Sequence, residues 1–191
     1  MMIRSEIVEQ IQQALSDYTP RKVDQPTAAP AAVLILVCTG AGEPRVVFTE
    51  RTHRVEHHKG QISFPGGACD DDDESVEMTA LRETFEEIGV DPKDVRILGQ
   101  LDDMVTVSNF RVTPFVGAVT CEKAYEYAVN DDEVATVVEV PLSHLLDEQN
   151  MELEVRQHNG REVLVPAFAY GGHRIWGATA RMLHQLIELL R

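Results

Sequence analysis

Residues 66–90 read GGACDDDDESVEMTALRETFEEIGV, and the rest of the chain is organised around them. Gly66 and Gly67 lead into five consecutive acids, Asp70 to Glu74, and then the pattern becomes helical. At about 100° per residue, Met78, Leu81, Phe85 and Ile88 share one side, while Glu83, Glu86 and Glu87 lie nearly opposite. Gly89 is placed to end the helix, because glycine adopts the left-handed conformation at a helix terminus without a Cβ penalty. Glutamates crowded on one patch repel, by a few tenths of a kcal/mol for an i, i+4 pair such as Glu83 and Glu87. A hard divalent cation removes that repulsion, since Mg²⁺ takes carboxylate oxygens together with water and substrate phosphate. The same pattern also describes an ordinary amphipathic helix with a solvated acidic face. The flanking residues separate the two readings.

Upstream, residues 45–59 gather Arg45, Arg51, Arg54 and Lys59 with His53, His57 and His58. In a chain of 191 residues with a formal net charge of −15, this is the natural landing place for a phosphate group. A solvated basic loop is the competing reading. His57 and His58 are adjacent, but no third ligand stands at a zinc-site spacing.

Arg82-Glu83-Thr84-Phe85-Glu86-Glu87-Ile88-Gly89-Val90 matches the core of G-x(5)-E-x(7)-R-E-U-x-E-E-x-G-U, where U is aliphatic or Thr. The stretch resembles the signature of the Nudix hydrolase family. Counting from Gly67 puts Asp73 in the place of the first glutamate; counting back from Arg82 puts Glu74 there. The preferred register is the longer loop with Glu74, which keeps the seven-residue spacing to Arg82.

A second resemblance covers Thr49, Arg51, Gly60, Phe64, Pro65, Gly66 and Gly67, which match L-L-T-x-R-[SA]-x(3)-R-x(3)-G-x(3)-F-P-G-G. That pattern is similar to the coenzyme A diphosphatase branch of the family. Thr52 stands for Ser or Ala, and Glu56 stands for the second arginine, a reversal of charge with Arg54 two residues away. Glu133-Val134-x-x-Val137-x-x-Val140-Pro141-Leu142 resembles a further family element, and Ile175-Trp176-Gly177-x-Thr179-Ala180 the carboxyl end of the branch. Read from the residues alone, Trp176 is a core anchor and Gly177 a point of close backbone approach.

The remaining chain reads simply. Ile7, Ile11 and Leu15 recur at helical spacing within residues 3–18, and Pro20 closes that helix. Residues 21–31, rich in Pro and Ala, form a connector. Residues 32–38 (AVLILVC) suit a strand buried on both faces, and residues 45–51 make its hairpin partner. Residues 95–101 and 110–120 are strands, the second marked by Pro114 as an edge or a bulge. Residues 151–157 and 161–169, joined at Asn159-Gly160, form a hairpin. Residues 176–190 close the chain as an amphipathic helix. The expected organisation is therefore an N-terminal helix and connector over residues 1–29 and a hydrolase domain over residues 30–191. The expected fold class is α+β: an α/β/α sandwich with a mixed β-sheet between helices.

Net charge argues against nonspecific nucleic-acid binding, which needs a basic surface, and against anionic membranes. Cys38, Cys69 and Cys121 are odd in number and widely spaced, so reduced thiols and a cytoplasmic location are expected. Cys69, within the acidic loop, reads as a bystander. No apolar run reaches the roughly 18 residues of a membrane span.

The resemblance implies a diphosphatase working with Mg²⁺ or Mn²⁺. It implies Glu83, Glu86, Glu87 and a Gly67 carbonyl as metal ligands, and Arg82 orienting Glu83. It offers Glu83 first and Glu133 second as the group that takes a proton from water. Arg51, Arg54, His58, Gly60, Gln61 and Phe64 are the implied substrate contacts. Coenzyme A or its derivatives is the first substrate; ADP-ribose or a nucleotide sugar is the second. A non-catalytic nucleotide sensor and a Nudix-type isomerase stay open, as does a homodimer.

Overall fold

The computed structural model describes residues 4–40, 42–52, 60–120, 124–158 and 161–191. In chain order these form α1 (Arg4–Ser16), β1 (Ala29–Cys38), β2 (Arg45–Arg51), β3 (Ile62–Ser63), β4 (Gly66–Ala68), α2 (Val76–Ile88), β5 (Val95–Gln100) and β6 (Met104–Val105). They continue with β7 (Phe110–Val119), β8 (Val134–Pro141), α3 (Leu142–Leu146), β9 (Met151–His158), β10 (Arg161–Tyr170), β11 (His173–Ile175) and α4 (Gly177–Leu189).

The apolar run of β1 is the spine of an eight-stranded sheet. On one edge it pairs in parallel with β7 along its whole length, from Ala29↔Phe110 to Cys38↔Val119. On the other edge it is shared: β2 takes Leu36 to Cys38, and β4 takes Ala31 to Val33. The sheet therefore opens into a wedge between β2 and β4, where the Leu34 amide donates to the Pro65 carbonyl at 2.9 Å. β8 pairs antiparallel with β2, and β5 and β6 with β7, so the sheet is mixed.

Successive β1 side chains point to opposite faces, and both faces are covered. Leu34, Leu36 and Cys38 meet Ala80, Leu81 and Ile88 of α2, while Ile35 and Val37 join a core built with α1, α3 and α4. This layering is the expected α/β/α sandwich. A separate three-stranded sheet, ordered β11-β10-β9, feeds Phe168 and Ile175 into the second core.

Four expectations change. Pro114 lies in a central strand, not at an edge, between partners β1 and β5/β6. Its carbonyl accepts from the Leu101 amide at 2.9 Å, so its nitrogen points to the same side, where β5 has ended at Gln100 and β6 begins only at Met104. The missing N–H falls in a gap of the ladder and costs little. In α2, Met78 and Phe85 are exposed, 39% and 51%, and the buried face holds Thr79, Ala80, Leu81, Thr84, Glu87 and Ile88. Trp176 is 37% exposed and carries the Arg156 guanidinium 5.4 Å from its ring centroid, so it is no core anchor. Gly177 has open space around it; its φ of +66° at the start of α4, not close approach, is what favours glycine.

The N-terminal helix is packed into the body, with Ile7, Ile11 and Leu15 buried among the second core. A polar clamp holds the chain that follows. Asp102 accepts from the Tyr18 hydroxyl, the Arg21 amide (2.8 Å) and Arg21 Nε (2.6 Å), and Gln185 Nε2 of α4 donates to the Tyr18 hydroxyl at 2.8 Å. Burial pushes the Asp102 carboxyl up, but these hydrogen bonds outweigh it and leave it below its ordinary value. A depressed carboxylate stabilises the fold above its unfolded pKa, and that contribution is lost as pH falls through the lowered value. Asp102→Asn should therefore lower unfolding free energy by about 1.5–3 kcal/mol at pH 7, measured by denaturant titration. The gap from wild type should close below about pH 4; a gap independent of pH would remove charge from the clamp.

Candidate active site

The N-terminus of α2 is set by Ser75, whose hydroxyl accepts from the Met78 amide at 3.2 Å, and its end by Gly89 at φ +71°. Between these caps the helix lies beside β4, and β4 lies against β1. That order brings the glycine pair, the glutamates and the end of β2 together.

Gly66 and Gly67 do different work. A Cβ on Gly66 would lie 2.3 Å from the Ala32 carbonyl oxygen and 2.6 Å from Val33 Cα, and its φ is +149°. A Cβ on Gly67 would lie 2.4 to 2.6 Å from the Glu83 carboxyl group. Gly66 lets β4 dock on the sheet, and Gly67 leaves the room that Glu83 occupies.

Arg82 ties the acidic loop to the helix. Its Nε and Nη2 make a two-pronged contact with Asp73, both at 2.9 Å, and Nη2 also donates to the Ala68 carbonyl at 3.2 Å. Its Nη1 donates to Glu83 Oε1 at 2.9 Å and Glu86 Oε2 at 3.2 Å. Asp73 also accepts from the Thr79 hydroxyl at 2.8 Å and the Asp70 amide at 2.9 Å. The Arg82 guanidinium holds the Asp73 carboxyl well below the usual carboxylate range. Asp73 and not Glu74 is thus the acid that grips Arg82, while Glu74 is exposed. The shorter aspartate reaches because the loop folds back, so counting from Gly67 gives the working register.

Glu83 and Glu87 lie deeper. Burial pushes the Glu83 carboxyl up, against the pull of Arg82. Glu87 is 2% exposed, and burial, with the charges of Glu83 and Glu133, pushes it up to about 8 despite Arg51. Its Oε1 faces Arg51 Nη1 at 3.7 Å. Its Oε2 is buried with no hydrogen-bond partner among the described residues, and so is Arg51 Nε. Glu86 is half exposed at the rim.

Glu133 arrives from the start of β8. The Thr52 amide donates to its carbonyl at 2.8 Å, and the Thr52 hydroxyl donates to the Asp132 carbonyl at 2.9 Å. Its charge raises both Glu83 and Glu87. The structure thus gathers Arg51, Gly67, Arg82, Glu83, Glu86, Glu87 and Glu133, and adds Asp73 and Thr52. Asp73 belongs to the register that the sequence reading set second to Glu74; Thr52 showed only as a departure from a pattern.

Of the remaining candidates, Gly60 and Gln61 pair with the end of β2. The Gly60 amide donates to the Arg51 carbonyl at 3.0 Å, and the Arg51 amide to the Gln61 carbonyl at 3.1 Å. Phe64 is a correction: it is 2% exposed and stacked on Phe48, with centroids 4.9 Å apart, so it fills the core and cannot touch a substrate. Arg54 and His58, with Glu56, lie outside the described residues.

No three acidic, histidine or cysteine side chains among the described residues converge on one point as a closed metal cage. Arginines face the glutamates instead. The donors nonetheless fit a hard divalent ion: carboxylate oxygens beside a glycine backbone, with one buried, unpartnered oxygen on Glu87.

The NUDIX domain model matches residues 28–159. The chain is 35% identical to mouse "Mitochondrial coenzyme A diphosphatase NUDT8" over 98% of this chain and 90% of that protein. It is 38% identical to "Uncharacterized Nudix hydrolase NudL" of Pectobacterium atrosepticum, over 82% and 80%. Among solved structures, a MutT/nudix family protein from Enterococcus faecalis aligns with a TM-score of 0.53 at 13% identity, covering 99% of this chain and 73% of that one. That likeness concerns the fold. The chain belongs to the Nudix family of hydrolases.

The two glycines give a paired prediction. Gly66→Ala drives a methyl into backbone and should lower the melting temperature by several degrees, since overpacking costs roughly 1–3 kcal/mol. Gly67→Ala meets only the carboxyl end of the Glu83 side chain and no backbone, so the melting temperature should stay near wild type while hydrolysis falls at least about tenfold. Equal effects in the two variants would contradict this division of labour.

Proposed function

We propose that the chain hydrolyses the diphosphate linkage of a nucleoside diphosphate derivative, with coenzyme A or its derivatives as substrate, giving 3′,5′-ADP and a 4′-phosphopantetheine product. The observation that carries this reading is Glu87, a buried carboxylate with an unpartnered oxygen, set among Glu83, Glu133 and Arg51. A cluster of that kind is strained alone and suited to a divalent cation. The names of the mouse relative and of its human counterpart, which is 37% identical, support the choice of substrate.

Glu83, Glu86, Glu87 and the Gly67 carbonyl would hold Mg²⁺ or Mn²⁺. When bound, such an ion withdraws charge from diphosphate oxygens and makes water more acidic. The chain's own groups account for the rest. Arg82, fixed from behind by Asp73, holds Glu83 in one orientation. Burial raises the proton affinity of Glu83, which suits it to take a proton from the attacking water, with Glu133 as second choice. The water oxygen bonds to one phosphorus, the bridging P–O bond breaks, and its electron pair leaves on the other phosphate. Arg51, at the end of β2, offers positive charge to the incoming diphosphate. Gly60 and Gln61, beside the end of β2, would position the rest of the substrate, with Arg54 and His58. The protein is expected to work in the cytoplasm.

ADP-ribose or a nucleotide sugar is the alternative substrate, favoured by Glu56 standing where the coenzyme A pattern has arginine. The intact glutamates weigh against a sensor without catalysis.

The test is turnover of coenzyme A, ADP-ribose, NADH and dinucleoside polyphosphates with Mg²⁺ or Mn²⁺, with products identified by mass. Coenzyme A should give 3′,5′-ADP; tight binding with no turnover of any compound would replace the hydrolase by a sensor. Glu87→Gln should cost about two orders of magnitude or more in kcat with the fold intact, and near-normal activity would remove Glu87 from the metal site. If ADP-ribose is preferred, Glu56→Arg should shift the ratio of kcat/KM values toward coenzyme A, and an unchanged ratio would discard that role for position 56.

A further inference from the structure

β9 is the outer strand of the three-stranded sheet, and among the described residues it pairs only with β10. It is eight residues long, has no proline, and its pairing with β10 runs without a register shift from Met151↔Phe168 to His158↔Arg161. Such an edge is a template for another strand, and natural proteins usually blunt it. The hairpin also presents apolar side chains to solvent: Leu153 is 54% exposed, Val155 61%, and Leu164, directly opposite Val155 on β10, 63%. An isolated two-stranded ribbon is marginal in water, and this one extends past the point where Pro166 is buried.

We infer that this edge pairs with the same edge of a second copy, antiparallel about a two-fold axis at Val155. The sequence of β9, MELEVRQH, selects the second copy over an unrelated strand because it is self-complementary in that register. With Val155 opposite its own counterpart, Glu154 faces Arg156 of the second copy and Arg156 faces its Glu154. Leu153 faces Gln157. The two ribbons then share one apolar row, Leu164, Val155, Val155 and Leu164, on a continuous six-stranded sheet. Opposite charges and apolar neighbours across strands each favour pairing, and an isologous contact of this kind closes as a dimer. Within one chain, Arg156 already donates to Glu154 at 2.9 Å, and Arg174 also contacts Glu154. The second copy therefore extends an existing charge network and buries no unpaired charge. Shifting the register by one residue, with Glu154 on the axis, would set two glutamates opposite each other, which is repulsive.

Light scattering after size exclusion tests this with the full-length protein. Wild type at about 100 µM should show twice the monomer mass of 21.3 kDa, and dilution should shift it toward monomer. Val155→Lys places two ammonium groups on the axis and should weaken association at least about tenfold, with a far-UV circular dichroism spectrum like that of wild type because the site is exposed. Arg156→Glu should also dissociate the dimer, and so should Glu154→Arg. An equimolar mixture of those two variants should restore dimers, since each supplies the charge the other lacks. Under oxidation Val155→Cys should form a covalent dimer, whereas Leu153→Cys, placed opposite Gln157, should not. A monomeric wild type, a dimer unaffected by Val155→Lys, or equal cross-linking at positions 153 and 155 would each overturn the inference.

Discussion

A Cβ on Gly66 would come within 2.3 Å of the Ala32 carbonyl oxygen, so β4 can lie against β1 only with glycine at that position. Much else depends on that approach. Because β4 occupies the lower half of the β1 edge, β2 is confined to the upper half, and the sheet must open between them. The seven residues between β4 and α2 then fix where the helix starts, and the helix register fixes which glutamates face the opening. Closeness of two backbones, not any side-chain contact, sets the position of the acidic cluster.

The charges follow from that placement. A helix carrying Glu83, Glu86 and Glu87 would ordinarily turn all three to water, yet Glu87 is driven inward because α2 is held against β1 and β4. Arg82 offsets part of the repulsion by joining the acidic loop to Glu83 and Glu86, and Arg51 faces Glu87 from the opposite wall. The two arginines differ in anchoring. Arg82 is locked by Asp73 through two parallel hydrogen bonds, whereas Arg51 Nε has no partner among the described residues. Arg82 is therefore suited to hold a neighbour in place, and Arg51 to engage a group that arrives from outside.

Composition and periodicity made most of the architecture legible. The unbroken apolar run of β1 announced a strand buried on both faces, and Ile7, Ile11 and Leu15 announced the packing of α1. The places where reading failed share a cause: each depends on what a neighbouring element does. Met78 and Phe85 obey helical spacing but point away from the sheet, because the face chosen for burial was set by β4 and not by hydrophobicity. Pro114 is tolerated in a central strand only because β5 stops and β6 starts around it, which no local pattern records. Counting back from Arg82 favoured Glu74, and the folded loop brings Asp73 to Arg82 instead. Phe64 belongs to a motif leading into the site, yet its ring stacks on Phe48; its contribution is to anchor the turn before Pro65.

Thr52 ties the end of β2 to the loop that carries Glu133. β2 shifts register against β8 between Glu50 and Arg51, at the point where its end meets the cluster. One residue later, the Thr52 amide and hydroxyl both bind the loop that delivers Glu133. The same short segment therefore sets the height of Arg51 opposite Glu87 and the position of Glu133. Alanine at 52 would keep the amide contact to Glu133 and lose the hydroxyl contact to Asp132. Serine would keep both, with less side chain to bury at a residue that is 8% exposed. A threonine where the related pattern has Ser or Ala thus retains the hydrogen bond and adds a buried methyl where the end of β2 meets the loop that carries Glu133.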